Sequence, residues 1–562
     1  MKTKKKSSSS LRKKFSLQPA FWVGVGFFLI GLAGLFSVAG ELRAGELDQM
    51  VSSDATLFVE FSLDQDSLTQ LQHVFPEVQV NTLLDLFIGD RFGITFAQDI
   101  APWIGHQGGI ALFSSGEGVV SARYQNRKKL DVFLQKFKLP SEAFQKIEVK
   151  DAEILTPAFS SGLGIGIRGK YVFFASSVDT LKAMFQSPST LSDLPEYRDI
   201  RRDMPRGTHV FLFSQNEPLT DIFFSSAENK ASKPLWAALS QSLPFGGVGL
   251  ELEEKTISMH TKMLTEEGVF AQKKTNRSEN QTMPELAQFA PQNTLFFMNG
   301  ADLYAKYQHT KEFLAEFHPQ FSVLFDGVLR ATSRQLFGDR FDFERDFLSR
   351  MHGQYAFILN FKESETPFLD FTLVTGFGGP DAEKNLSQLH DIIHFAQTRF
   401  AVQEEEVELP DGSTRQELVA VDAKEIPIQK QEFEEKIYFT AENVAQDKNF
   451  SYAFLDGYLV FSTTQSGIKS VFTAHGNPTA NLTQNTDFRE SVLFRYSPSE
   501  SYGFLNLAKL GESVELLTPQ NTLEESEPSA WQILLRSGIR NMTFARKVFP
   551  GEIFWTGTLF LQ

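Results

Sequence analysis

The 562-residue chain contains no cysteine. That absence excludes disulfides, thiolate metal sites, cysteine-ligated iron–sulfur clusters and cysteine nucleophiles together. Avoiding cysteine is one way to avoid mispairing in an oxidising compartment, and a body this large can build its cores without disulfide staples. Positive charge is scarce as well. Lys and Arg number 54 against 69 Asp and Glu, for a net charge of −15, and everything after Lys14 carries −22. An acidic body repels phosphate backbones and anionic lipid surfaces, so no nucleic-acid partner is expected.

Catalytic signatures are missing too. There is no G-x-S-x-G elbow, P-loop, EF-hand loop or kinase signature. Gly162-Leu163-Gly164-Ile165-Gly166 runs straight into Ile167 instead of opening a helix, so it reads as a strand edge and not as a dinucleotide loop. His390 and His394 stand one helical turn apart in HDIIH, but Asp391 follows the first where a zinc-protease helix needs Glu. Leu389, Ile392, Ile393 and Phe395 surround them, which describes a helix packed on a sheet. His106 and His352 fall at turns near glycines and read as solvated or backbone-bonded. Glu432, Glu434 and Glu435 form a surface charge run. No residue is assigned a catalytic, cofactor-binding or metal-ligating role, and the chain reads as a non-enzyme with no cofactor.

The most informative positive feature is the N-terminus. Lys2, Lys4, Lys5, Lys6, Arg12, Lys13 and Lys14 precede an uncharged run from Ala20 to Ala39, carried by Phe21, Trp22, Phe27, Phe28, Leu29, Ile30, Leu32, Leu35 and Phe36. About 20 helical residues span the ~30 Å hydrocarbon core of a bilayer with every backbone polar group satisfied. The expectation is a basic tail at 1–19 and a transmembrane signal anchor at 20–40. The positive charges set the N-terminus in the cytoplasm and the main body in the periplasm. Ser37-Val38-Ala39 supports a rival reading as the cleavage site of a signal peptide, although the run is longer than an ordinary h-region.

The chain is also written twice. Tyr171–Phe185 (YVFFASSVDTLKAMF) aligns without a gap to Tyr458–Phe472 (YLVFSTTQSGIKSVF). Thr56-Leu57-Phe58 matches Thr294-Leu295-Phe296. The stretch around Trp103 matches that around Met351, pairing Gly105 with Gly353, and Val210-Phe211-Leu212 matches Gly503-Phe504-Leu505. These landmarks keep their order, as expected of a duplication whose second copy gained loops. The division expected is copy one at 45–265, a polar linker at 266–283 and copy two at 284–562. An acidic hairpin near 402–422 turns at Pro410-Asp411-Gly412. Strands at hairpin distance, mixed with separated helices at 67–87, 127–137 and 178–185, predict an α+β fold. It would comprise two homologous modules of mainly antiparallel sheet with packed helices, following the transmembrane helix.

Several of these features together resemble the bacterial family catalogued as domain of unknown function 3352. They are the basic N-terminus, the opening strand Ser53-Asp54-Ala55-Thr56-Leu57-Phe58-Val59, the element Asp99-Ile100-Ala101-Pro102-Trp103-Ile104-Gly105, and the strand–Ser/Thr–helix element at Gly169–Phe185. The resemblance implies a membrane-anchored envelope protein of unknown activity, with no catalytic residues to carry over. The leading expectation is a non-catalytic scaffold that binds a protein partner in the envelope. The second reading is a periplasmic carrier or chaperone for an apolar ligand, motivated by 56 Phe against 11 Tyr and 5 Trp. An exported hydrolase is the remote third.

Overall fold

The structure is a computed structural model. It describes residues 46–62, 96–135, 145–156, 164–205, 208–223, 233–253, 255–265, 285–317, 319–337, 342–362, 368–378, 382–398, 402–408, 413–420, 428–443, 448–489, 501–511, 539–549 and 551–561. The expected basic tail, the apolar segment 20–40, the helix at 67–87 and the linker 266–283 lie outside these residues. The chain divides into two compact units, Met1–Gln72 with Glu77–Glu251, and His73–Pro76 with Leu252–Gln562.

The first unit is built on β1 (Ala55–Ser62), β2 (Ile104–Phe113), β3 (Gly118–Tyr124), β4 (Gln145–Val149), β5 (Ala152–Thr156), β6 (Gly164–Arg168), β7 (Tyr171–Ala175), β8 (Val210–Gln215) and β9 (Phe245–Leu252). All pair antiparallel, in the order β4-β5-β6-β7-β3-β2-β1-β8-β9. Several neighbours are joined by tight turns, one of which places Lys150 at φ +50 and another Gly169 at φ +58. Short helices cover the sheet. Arg127–Leu134 presents Leu130, Phe133 and Leu134 to a core shared with Trp103, Ile165 and Val172. Val178–Gln186 buries Leu181, Met184 and Phe185.

The second unit repeats this wiring. Its strands are β10 (Thr256–Leu264), β11 (Phe296–Gly300), β12 (Met351–Lys362), β13 (Phe368–Phe377), then β16 (Gln429–Phe433), β17 (Lys436–Asn443), β18 (Lys448–Leu455), β19 (Tyr458–Ser462), β20 (Ser501–Asn506), β21 (Ile539–Phe549) and β22 (Glu552–Leu561). Their antiparallel order is β16-β17-β18-β19-β13-β12-β11-β20-β21-β22-β10. A separate hairpin pairs β14 (Val402–Glu408) with β15 (Thr414–Ala420). Helices Leu303–Phe317, Pro319–Phe337, Ala382–Thr398 and Gln465–Gly476 complete this unit.

The architecture corrects the expected fold class. Twenty strands are held in antiparallel sheet, nine beginning in the first unit and eleven in the second. The fold is predominantly sheet, and it is not a pair of α+β modules. No helix among the described residues is long and apolar enough to cross a membrane. The physical reason is that periodicity reports single elements and not how many strands pair into one sheet. β1, expected as a strand, is one, buried on both faces. Residues 429–455 supply β16, β17 and β18, which stand in the order where β4, β5 and β6 stand in the first unit.

The bulges correct the alignment as well. β2 slips register between Ile104 and Gly108, and β12 slips between Met351 and Tyr355. Matching the bulges sets Met351 opposite Ile104 and His352, not Gly353, opposite Gly105. Likewise Phe58 lies between Ala111 and Phe213, and Phe297 lies between Ile358 and Phe504. The first landmark is therefore one residue out of step. A one-residue slip moves every side chain to the other face, and a strand buried on both faces gives no pattern with which to detect it.

Candidate functional site

Two places gather polar side chains where the fold would otherwise be apolar, one in each unit. In the first unit Glu60 lies on β1, between Val59 and Phe61, and is 2% exposed. Its Oε1 accepts a hydrogen bond from Gln107 Nε2 at 2.5 Å. Gln107 is on β2 and in turn accepts from the Tyr171 hydroxyl on β7 at 2.5 Å. The same hydroxyl reaches Glu46 Oε2 at 3.4 Å. Arg201, in the helix Pro195–Arg202, places Nη2 3.5 Å from Glu60 Oε2 and stacks its guanidinium 4.4 Å from the centre of the Phe211 ring.

Burial pushes the Glu60 carboxyl up to about 7, with the Asp48 charge adding to the rise and Arg201 opposing it. Burial also raises Asp48, against the pull of Arg201. It holds the Tyr197 hydroxyl far above its ordinary range. Asp48 Oδ1, Tyr197 Oη and Arg201 Nη1 are buried without a hydrogen-bond partner among the described residues. The second unit carries an uncharged version of this core. By register Asn299 stands where Glu60 stands, and Phe488 takes the place of Tyr197, packing on Phe297 and Phe504 as Tyr197 packs on Phe58 and Phe213.

In the second unit a cleft of about 460 Å³ opens beside the helix Gln465–Gly476. Thr464 caps this helix, its hydroxyl accepting from the Gly467 amide at 3.0 Å. Lys469, Ser470 and Thr473 line the cleft from one face of the helix, as residues three and four apart do. Asn360 and Phe361, at the end of β12, also line it, as do Asn293 and Lys509. Binding sites for small molecules commonly occupy ~300–1,000 Å³ and place a few polar groups among apolar ones.

The residues singled out from sequence fall elsewhere. Trp103 is 2% exposed, donates from Nε1 to the Asp99 carbonyl at 2.7 Å and packs on Phe133, so it is a core residue. A Cβ at Gly105 would meet the Arg123 carbonyl at 3.1 Å, so the strand approach is close there. Gly353 adopts φ +78 in open space, inside the bulge. Tyr171 belongs to the ionic core. Tyr458 stands at the same place on β19 but packs on Phe289 at 5.6 Å. The ring of His390 packs edge-on against Phe439 and Tyr452. Glu434 and Glu435 take φ +51 and +63 and form the turn between β16 and β17. The anchor residues Phe21, Trp22, Phe27, Phe28, Leu29, Ile30, Leu32, Leu35 and Phe36, and the topology residues Lys4, Lys5, Lys6, Arg12, Lys13 and Lys14, lie outside the described residues.

Neither cluster had been singled out from the sequence, because each is assembled from distant segments. One local signal was available for the first: an acid, Glu60, at the centre of an apolar strand. Phe58, Phe173, Phe185, Phe211, Phe213, Phe289 and Phe297 are buried, whereas Phe371 and Phe549 are exposed.

A family model described as "Protein of unknown function (DUF3352)" matches residues 20–560. No curated protein matches the chain. Among solved structures, crystal form III of TP0453 aligns at 9% identity and a TM-score of 0.24, covering 41% of this chain and 80% of that one. Crystal form I of TP0453 aligns at 8% identity and the same TM-score, covering 40% and 80%. Likenesses at that level carry no argument about this protein.

Proposed function

From a chain that belongs to the DUF3352 family, described only as being of unknown function, we propose a non-catalytic protein of the bacterial envelope that binds a protein partner. Its first 40 residues hold it at the cytoplasmic membrane and its body lies outside the cytoplasm. The observation that supports partner binding is the helix Pro319–Phe337. Val323, Leu324 and Val328 on this helix are 72%, 61% and 59% exposed, and a Cβ at Gly327 would meet nothing within 4 Å. Isolated exposed apolar residues are ordinary, but several on one helix face form the kind of patch that monomeric proteins seldom leave in water. An amphipathic helix that offers such a stripe is a recurrent docking element.

The test is site-specific photocrosslinking in intact cells. A crosslinking side chain at Leu324 is expected to give one discrete higher-mass adduct, and one at the exposed Ser413 is expected to give none. Val328→Glu should abolish the Leu324 adduct, since burying an unpaired carboxylate costs several kcal/mol. A full-length chain that runs only as a free monomer in gentle detergent, with no adduct at Leu324, would overturn the reading.

A further inference from the structure

The cleft beside the 465–476 helix has a charge opposite to that of the chain. Among the described residues its lining includes Lys469 and Lys509 and no Asp or Glu, in a body that carries −22. Both ammonium groups have defined contacts. Lys509 Nζ donates to the Asn293 carbonyl at 2.9 Å. Lys469 Nζ lies 5.7 Å from the Phe433 ring centre and 5.9 Å from that of Tyr438, a cation–π arrangement. Ser466 and Ser470 add hydroxyls along the same helix face, and Phe361 adds an apolar surface.

The first unit provides an internal control on the same scaffold. Its helix Val178–Gln186 is capped by Ser177 as the second unit's is capped by Thr464. The isolated bridges Ser52–Thr190 and Pro291–Asn481 stand at corresponding places. Counting from the caps, Lys182 corresponds to Lys469 and Asp179 to Ser466. Counting from the bridges, Asp54 corresponds to Asn293. In the first unit Lys182 is paired with Asp179 at 3.2 Å. Ser52 bonds Ser187 at 2.9 Å, and Ser53 bonds Ser189 at 2.6 Å, across the same face. The second unit thus keeps the lysine and carries Ser466 and Asn293 where the first carries Asp179 and Asp54.

Two acids lie near the cleft without lining it. Asp370 is the cross-strand neighbour of Asn360 and is fully buried, with Oδ1 accepting the hydroxyls of Ser462 and Thr463 at 3.1 Å each. Its Oδ2 is buried without a hydrogen-bond partner among the described residues, beside Gly467 in the first turn of the 465–476 helix. Glu434 accepts the Thr473 hydroxyl at 3.4 Å.

We propose that this cleft binds a small organic phosphate. Lys469, Lys509 and the helix-face hydroxyls take the phosphate, and the organic part lies against Phe361. A volume of about 460 Å³ holds far more than a bare phosphate. This site is separate from the exposed stripe on the 319–337 helix and does not depend on it.

The experiment is a phosphorus NMR titration of the full chain in non-ionic detergent against glycerol 3-phosphate, inorganic phosphate, and phosphatidic acid in mixed micelles. The glycerol 3-phosphate resonance is expected to broaden. Joint Lys469→Gln and Lys509→Gln substitution should weaken binding at least about tenfold, the scale of one lost charge-assisted bond. Lys469→Arg should retain binding and so separates lost charge from lost folding, and Lys182→Gln should change nothing. Broadening of phosphatidic acid alone, abolished by the double substitution, would uphold the site and assign its phosphate to a lipid headgroup. Broadening that survives the double substitution would mean an adventitious ion only, and no broadening with any of the three probes would equally overturn the proposal.

Discussion

Glu60 is a carboxyl among Val59, Phe61 and the rings beneath β1, and its environment favours the neutral form. In the unfolded chain it titrates near 4.5, and in the fold near 7. Between those values the folded protein retains a proton that the unfolded chain has released, so stability is greatest below the window and falls as pH rises through it. The whole loss is about 3 kcal/mol at most. Asp48, raised by the same burial, acts in the same direction. Glu60→Gln should remove most of this slope, so that urea midpoints at pH 5 and pH 8 draw together. A slope as steep in the variant as in the parent would show that another group carries it. At this scale the sequence is mute about partners. It offers Glu60 as an anomaly in an apolar strand, but Gln107 and Arg201 reach it only through strand pairing and helix packing set by distant parts of the chain.

The strand–cap–helix element is the piece of structure most legible in the sequence. Tyr171–Ala175 and Tyr458–Ser462 each lead through a hydroxyl residue into a helix, and both hydroxyls accept a backbone amide at 3.0 Å. Replacing either cap with alanine should cost about 1 kcal/mol, and Thr464→Ser should cost almost nothing. Chemical denaturation of Ser177→Ala and Thr464→Ala checks this, and equal stability of parent and both variants would refute it. The element is legible because its capping chemistry, turn and amphipathic helix all act within about 15 residues, so no tertiary context is needed to recognise it. The helix at Arg127–Leu134 is legible for the same reason, although it stops short of the expected Phe137, with Gln135 as its cap. The opposite holds for β16, whose partly exposed and charged sequence carries no strand pattern until β17 pairs with it. The Gly105–Gly353 match failed at a bulge, a feature with no reliable residue signature.

For the whole molecule, the charge pattern makes a claim that the absence of cysteine renders easy to check. Single cysteines at Ser7 and Ser413 introduce the only thiols in the chain. On cells whose outer barrier is permeabilised, a membrane-impermeant maleimide should label Ser413→Cys and not Ser7→Cys, and the reverse would invert the proposed orientation. The sheet carries a further consequence at this scale. β4 and β16 each pair on one side only among the described residues. Their sequences are QKIEV and QKQEF, alternating Lys and Glu along largely exposed strands. A bare strand edge is a template on which another chain can add, and lysine in particular blocks that addition because pairing would bury its ammonium. With so much of the chain committed to strands, each charged margin sets where the sheet of its own unit stops growing, and losing that charge would expose the protein to fibrillar self-association.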